Sequence, residues 1–261
     1  MRGSLILFSL LSLAALGAPA GALDLNGIEP RLDDLAKPAT ANPSAPANPG
    51  LAASGLAQFS TQDQVGGLKQ ALTQGAETAV SSLARKDGYL GNDKVRIPLP
   101  ENLQKADQVM RRLGMGKYSD ELVTAMNRSA EAAVPQAKAL FVDAIRKMTV
   151  SDAKGILSGG EDAATRYFRG KTETALTGKF KPIVSKAMQN VQLAEKYDQF
   201  AGKGAQFGLI DQRDANLNGY VTRKAMDGLF LMMAEQEKAI RANPLQATGK
   251  LAKQVFSAIK P

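Results

Sequence analysis

The chain has 261 residues, with 33 Lys or Arg against 25 Asp or Glu for a formal net charge of +8, and it contains no histidine, cysteine or tryptophan. Without imidazole or thiol, Ser-His-Asp and Cys-His nucleophilic catalysis and the usual zinc sites are closed, as is disulfide stapling, so stability must come from a hydrophobic core. The phosphate-cradling glycine patterns GxxxxGK[ST] and GxGxxG are missing too.

Residues 1–22 carry one arginine, the apolar run LILFSLLSLAALG and small residues spaced Ala-x-Ala, which predicts a secretory signal peptide cleaved after Ala20 or Ala22. The run is too short to anchor the chain, no cysteine is present for lipid attachment, and no later apolar run approaches the ~20 residues of a membrane helix. The expected destination is the periplasm. Residues 23–59 include KPATANPSAPANPGLAASG, with almost no large apolar side chains, so a flexible, disordered linker is expected.

Residues 60–261 are expected to form one helical domain. Ser60 or Thr61 caps a helix carrying Val65, Leu68, Leu72, Ala76, Val80 and Leu83, spaced to present one apolar face. After DGYLGND, the segment KVRIPLP has two prolines and reads as an extended arm. Pro100 starts a helix that the glycines of GMG close. Ser119 is expected to cap the longest helix, striped by Leu122, Met126, Ala130, Ala133, Ala137, Phe141, Ala144 and Met148, with a kink at Pro135.

Ser151 or Asp152 caps a short helix to Leu157. A helix bearing Ala164, Tyr167, Phe168 and Leu176 follows, and Pro182 is expected to begin a separate one. The segment AMDGLFLMMAEQEKAI is apolar on all sides from Leu229 to Ala234, which predicts a central core helix. The last helix places Leu251, Val255, Phe256 and Ile259 on one side and Lys250, Lys253 and Lys260 elsewhere. The fold expected is all-α: an irregular bundle of about eight helices with a short extended arm.

Two stretches invite a functional reading. In DANLNGYV, Asp214, Asn216, Asn218 and Gly219 match the first half of a calcium loop, but its twelfth position is Ala225 where a bidentate acid is needed. These residues are therefore a weak metal candidate only, read instead as a turn, with Thr222 capping the next helix and Val221 and Met226 as a hydrophobic staple. No cofactor is expected.

In MNRSAEAAVP, Asn127 lies at the edge of the apolar stripe and Glu131 just beyond it, while Pro135 cannot donate to the carbonyl of Glu131. A structural reading has Asn127 and Glu131 bonding backbone or pairing with an arginine such as Arg128. A functional reading makes Asn127, Arg128 and Glu131, with Tyr167, a ligand-binding set.

Several strings in order carry a family resemblance: GLKQAL at Gly67, KDGYLGNDKVRIPLP at Lys86, MNRSAEAAVPQAK at Met126, MTVSDAKGIL at Met148, AATRYF at Ala163, FKPIV at Phe180 and YVTRKAMDGLFLMMAEQEKAIR at Tyr220. Over about residues 65 to 258 the chain resembles the bacterial domain-of-unknown-function family 4197. The resemblance implies an exported helical protein with no assigned activity and supplies no catalytic residues.

The function these features point to is non-enzymatic, a periplasmic binding or scaffold protein for an envelope protein or a small apolar ligand. One alternative is a hydrolase or lyase using Glu131 with a second acid such as Asp152. Another is peripheral attachment to anionic membrane lipid through Lys-bearing helices such as the last one. Nucleic acid is not expected as a partner, because basic residues are interspersed with acids and few aromatics are available for base stacking.

Overall fold

The computed structural model describes residues 55–189, 191, 193–198 and 216–259. The signal peptide expected at 1–22 and nearly all of the linker expected at 23–59 lie outside these residues. Among the described residues there are eight α-helices, two 3-10 turns and no strand, so the expected all-α bundle holds. None of these helices is long and apolar enough to cross a membrane.

Helix α1, Thr61–Ala84, starts where Ser60 accepts the N–H of Asp63 on its side-chain oxygen at 3.1 Å. It buries Leu68, Leu72, Ala76, Ala79 and Leu83 at steps of three and four. After a turn through Val95, the segment 96–100 has no regular structure and no ladder partner. Helix α2, Glu101–Arg112, closes in a Schellman motif, with Gly114 at φ 76°, its N–H on the Arg111 carbonyl and the N–H of Met115 on that of Met110.

The long helix expected from Ser119 to Met148 is two helices. Helix α3 is Gly116–Ala133 and α4 is Ala137–Arg146, joined by a 3-10 turn at Val134–Gln136. Ser119 lies inside α3 and is buried, because the glycines at 114 and 116 let the new helix begin sooner. At Pro135 the missing N–H is absorbed by tightening one turn, which keeps Ala133, Val134, Ala137 and Phe141 on one buried stripe.

Thr149, rather than Ser151 or Asp152, caps α5, Val150–Leu157. Thr149 and Asp152 form a reciprocal capping box. Helix α6 runs unbroken over Ala163–Met188, so Pro182 does not begin a new helix. Pro182 and Gly178, whose carbonyl it leaves unpaired, are both exposed, so water can take that carbonyl while Leu176, Phe180 and Val184 stay in phase.

A short helical stretch at 193–198 precedes α7, Leu217–Ala242, whose cap is Asn216. Thr222 therefore sits inside α7, buried, and does not cap it. The local competition was won by Asn216, the better-placed acceptor for the N–H of Gly219 at 2.9 Å. A 3-10 turn at Pro244–Gln246 leads to α8, Lys250–Ala258.

The two 26-residue helices, α6 and α7, pack along one another, α3 packs against both of them, and α1 packs against α7. Phe141 of α4 meets Phe168 of α6 edge-to-face at 5.2 Å between ring centres and lies 6.2 Å from Phe230 of α7. Helix α8 seats on α1 at Gly67, where an added Cβ would lie 2.7 Å from Val255. That close approach is what buries Ala252, Val255 and Phe256.

Candidate functional site

The two polar residues singled out in α3 are both buried, Asn127 at 0 % exposure and Glu131 at 5 %. Both turn toward the segment between α1 and α2. The Asn127 carboxamide accepts the N–H of Ile97 at 2.8 Å and donates to the carbonyls of Ile97 at 2.9 Å and Val123 at 2.8 Å. One turn on, Glu131 Oε1 accepts the N–H groups of Tyr89 at 3.0 Å and Leu90 at 3.2 Å, while Oε2 accepts from Arg128 at 2.7 Å.

Arg128 reaches on to Asp87 at 2.7 Å, at the position where the chain takes a φ of 64°. This segment has no ladder to satisfy its backbone, and buried peptide groups need partners. Side chains of the bundle supply them: the hydroxyl of Tyr89 donates to the Ala225 carbonyl at 2.6 Å, and that of Tyr220 to the Pro98 carbonyl at 3.0 Å. Burial, then the charges of Glu131 and Asp227, push the Tyr89 phenol far above its ordinary value, so it remains a donor.

A second arrangement of the same kind was not anticipated. Asp162, the residue before α6, makes no side-chain cap bond. The cap comes from α7 instead: Glu237 Oε1 accepts the N–H of Ala164 at 3.0 Å, and Oε2 accepts the N–H of Thr165 at 2.9 Å and its hydroxyl at 3.0 Å. Arg241, one turn further along α7, donates to Glu237 at 2.9 Å and to the Ile156 carbonyl at 2.9 Å. A carboxylate at a helix N-terminus also meets the positive end of the helix dipole. The sequence did carry a signal, since Glu237 is in phase with Met226, Leu229, Met233 and Ile240 on the buried face of α7.

Tyr167 lies apart from Asn127, Arg128 and Glu131. It is half-buried in an open cleft of about 340 Å³ that Lys147, Thr149, Asp152 and Lys171 also line, and its hydroxyl donates to the Ala144 carbonyl at 3.2 Å. Asp152 spends its carboxylate on Thr149, whose backbone N–H and then hydroxyl hold it below the usual carboxylate range. Asn127 and Glu131 line neither this cleft nor a small cavity between α1, α6, α7 and α8 beside Glu237. That cavity has a volume of about 20 Å³, enough for a single water.

Of the calcium-loop residues, Asp214 lies outside the described residues. Asn216 is the cap of α7 and donates to Asp198 at 3.3 Å, and Asn218 falls in the first turn of the helix. Among the described residues no three acidic side chains are grouped so as to hold a metal ion.

The family model described as "Protein of unknown function (DUF4197)" matches residues 58–257. No curated protein and no solved structure matches the chain.

Proposed function

Because the chain belongs to the family of proteins of unknown function DUF4197, whose description names no activity, we propose its function from geometry: a non-enzymatic helical scaffold that holds a partner at its surface. One observation carries this reading. The two buried glutamates are consumed by the fold, each accepting two backbone N–H groups and a guanidinium one turn away. A general acid or base has to reach the proton it moves, and these reach only their own chain.

The pairing of Glu131 with Asp152 as acid and base gains no support, since Asp152 is bound into its capping box and lines a different cleft. The apolar pocket beside Glu237, about 20 Å³, is too small for an apolar ligand, which ordinarily needs about 300 Å³ or more, and the larger clefts of about 340 and 480 Å³ are open and lined mostly by polar side chains. Recognition then falls to the outer surface. The leader-type residues 1–22 support a periplasmic setting for this scaffold.

The test is turnover. Purified protein offered ester, glycoside and phosphoester substrates is expected to show none. Turnover that disappears in Glu131→Gln while the melting temperature is retained would overturn the reading.

A further inference from the structure

The open cleft of about 340 Å³ beside Tyr167 lies where α4, the cap of α5 and α6 meet. Its apolar surface comes from Leu140, Ala144, Ala175 and the Tyr167 ring, which the hydroxyl's bond to the Ala144 carbonyl holds in place. Four charged side chains line it, the acids Asp143 and Asp152 and the bases Lys147 and Lys171. The lining is therefore balanced in charge, and what matters is which of the four the fold has already engaged.

Asp143 is engaged at both oxygens, Oδ1 with Arg146 at 2.6 Å and Oδ2 with Lys147 at 2.7 Å. Asp152 is engaged at one. Its Oδ2 accepts the N–H and hydroxyl of Thr149, while Oδ1 has no hydrogen-bond partner among the described residues. Lys171 has no carboxylate partner among the described residues, and its Nζ lies 5.7 Å from the centre of the Tyr167 ring. After Thr149's backbone N–H and hydroxyl, the charge of Lys171 also lowers the Asp152 carboxyl, so the two stand within electrostatic reach of each other. Outside the lining, Glu173 is paired with Arg169 at 3.2 Å, and the exposed Lys154 and Lys179 add only positive charge. One open carboxylate oxygen and one open ammonium thus remain beside an aromatic ring.

The other large cleft, about 480 Å³ between α1 and the link to α8, offers no such pair. Its Glu77 is on Lys138 at 3.1 Å, its Lys69 on the Arg146 carbonyl at 3.4 Å and its Gln74 on Thr248.

We infer that the Tyr167 cleft is a binding site for a zwitterionic α-amino acid with an apolar side chain, its ammonium on Asp152 Oδ1, its carboxylate on Lys171 and its side chain against Tyr167 and Leu140. Two opposite charges on one small molecule match a lining with one open group of each sign. A simple anion is repelled by Asp152 and a simple cation by Lys171. The volume of about 340 Å³ falls within the range of small-molecule sites, roughly 300–1,000 Å³. The inference stands without the scaffold reading, and its failure would leave that reading's turnover test untouched.

The experiment is titration calorimetry of the full chain with L-phenylalanine, with phenethylamine, which lacks the carboxylate, and with 3-phenylpropanoate, which lacks the ammonium. Wild type is expected to bind L-phenylalanine at millimolar concentration or below, and each analogue at least ~10-fold more weakly. Lys171→Met is expected to weaken L-phenylalanine binding ~10-fold, as is Asp152→Asn, whose carboxamide keeps the cap acceptor but loses the charge. Lys69→Met in the other cleft should bind as wild type does.

Lys171 is exposed, and an unchanged melting temperature establishes that Lys171→Met folds. Where Asp152→Asn melts lower, Lys171→Met and the two analogues decide alone. Three results would sink the inference: no binding of L-phenylalanine by wild type, either analogue binding as tightly as L-phenylalanine, or binding that Lys171→Met leaves unchanged.

Discussion

Asn127 and Ile97 pair as neighbouring strands do, side chain against backbone: the carboxamide takes the N–H of Ile97 at 2.8 Å and gives to its carbonyl at 2.9 Å. One side chain thereby does for the arm what a ladder would have done. Asn127→Ala leaves two buried peptide groups of Ile97 without partners and is expected to cost about 2–4 kcal/mol. Urea denaturation measures this, and limited proteolysis between residues 91 and 100 reads the arm alone. Faster cleavage with unchanged global stability would show that the arm is peripheral to the fold.

Glu237 caps a helix to which it does not belong. Glu237→Ala strips the first turn of α6 of its acceptor and leaves Arg241 buried with only the Ile156 carbonyl, an expected loss of about 3–5 kcal/mol. Glu237→Gln keeps a neutral acceptor and is expected to lose about 1–3 kcal/mol. Amide exchange at Ala164 and Thr165 should accelerate in both, while exchange in α2 stays as it was.

Two glycines predict opposite signs. At Gly228 an added Cβ would lie 2.8 Å from the Tyr89 ring and 3.1 Å from Val95, so Gly228→Ala is expected to destabilise by about 1–3 kcal/mol. At Gly170, exposed in mid-α6, nothing lies within 4 Å, and Gly170→Ala is expected to stabilise by about 0.5–1 kcal/mol through helix propensity. Paired thermal melts decide it. Shifts of the same sign would refute the close packing of the 89–95 segment on α7.

Asp152 gives a pH dependence. Its folded-state carboxyl titrates below the ordinary value because of Thr149's backbone N–H and hydroxyl. The unfolded chain takes up that proton first, near pH ~3.9, so the box contributes fully above this value and its contribution is lost as pH falls through the folded pKa. Asp152→Asn removes the titration but not the acceptor. The stability difference between wild type and variant should therefore shrink on acidification from about pH 6 to about pH 3. A difference constant over that range would mean the box is not formed.

Most helices could be read from the chain because their causes are local. Ser60 caps α1 and Gly114 closes α2 as their residue types demand, and the stripes Leu68–Leu83 and Leu122–Phe141 announce their buried faces. The misplaced boundaries have local competitors: Asn216 outbid Thr222, Thr149 outbid Ser151, and Pro182 was tolerated because its side of α6 faces water. That Asn127 and Glu131 hold backbone was one of the two readings that the sequence allowed. Which backbone they hold was beyond it, since Ile97 is 30 residues from Asn127 in a segment with no periodicity. Glu237 is in phase with Met233 and Ile240, but phase alone does not specify which helix terminus an acid on that face will meet.

Composition and spacing determined by themselves that the protein is a helical bundle without the imidazoles and thiols that His- and Cys-dependent catalysis needs. These properties reside in single residues and in a 3.6-residue period, which need no distant partner. Only tertiary structure decided which acids the fold consumes and which apolar stripe it leaves uncovered. A hydrogen bond or a buried face depends on what another segment brings to it. For Glu237 that segment starts 73 residues away, and for Val109 and Leu113 at the end of α2, both exposed, no segment among the described residues covers them.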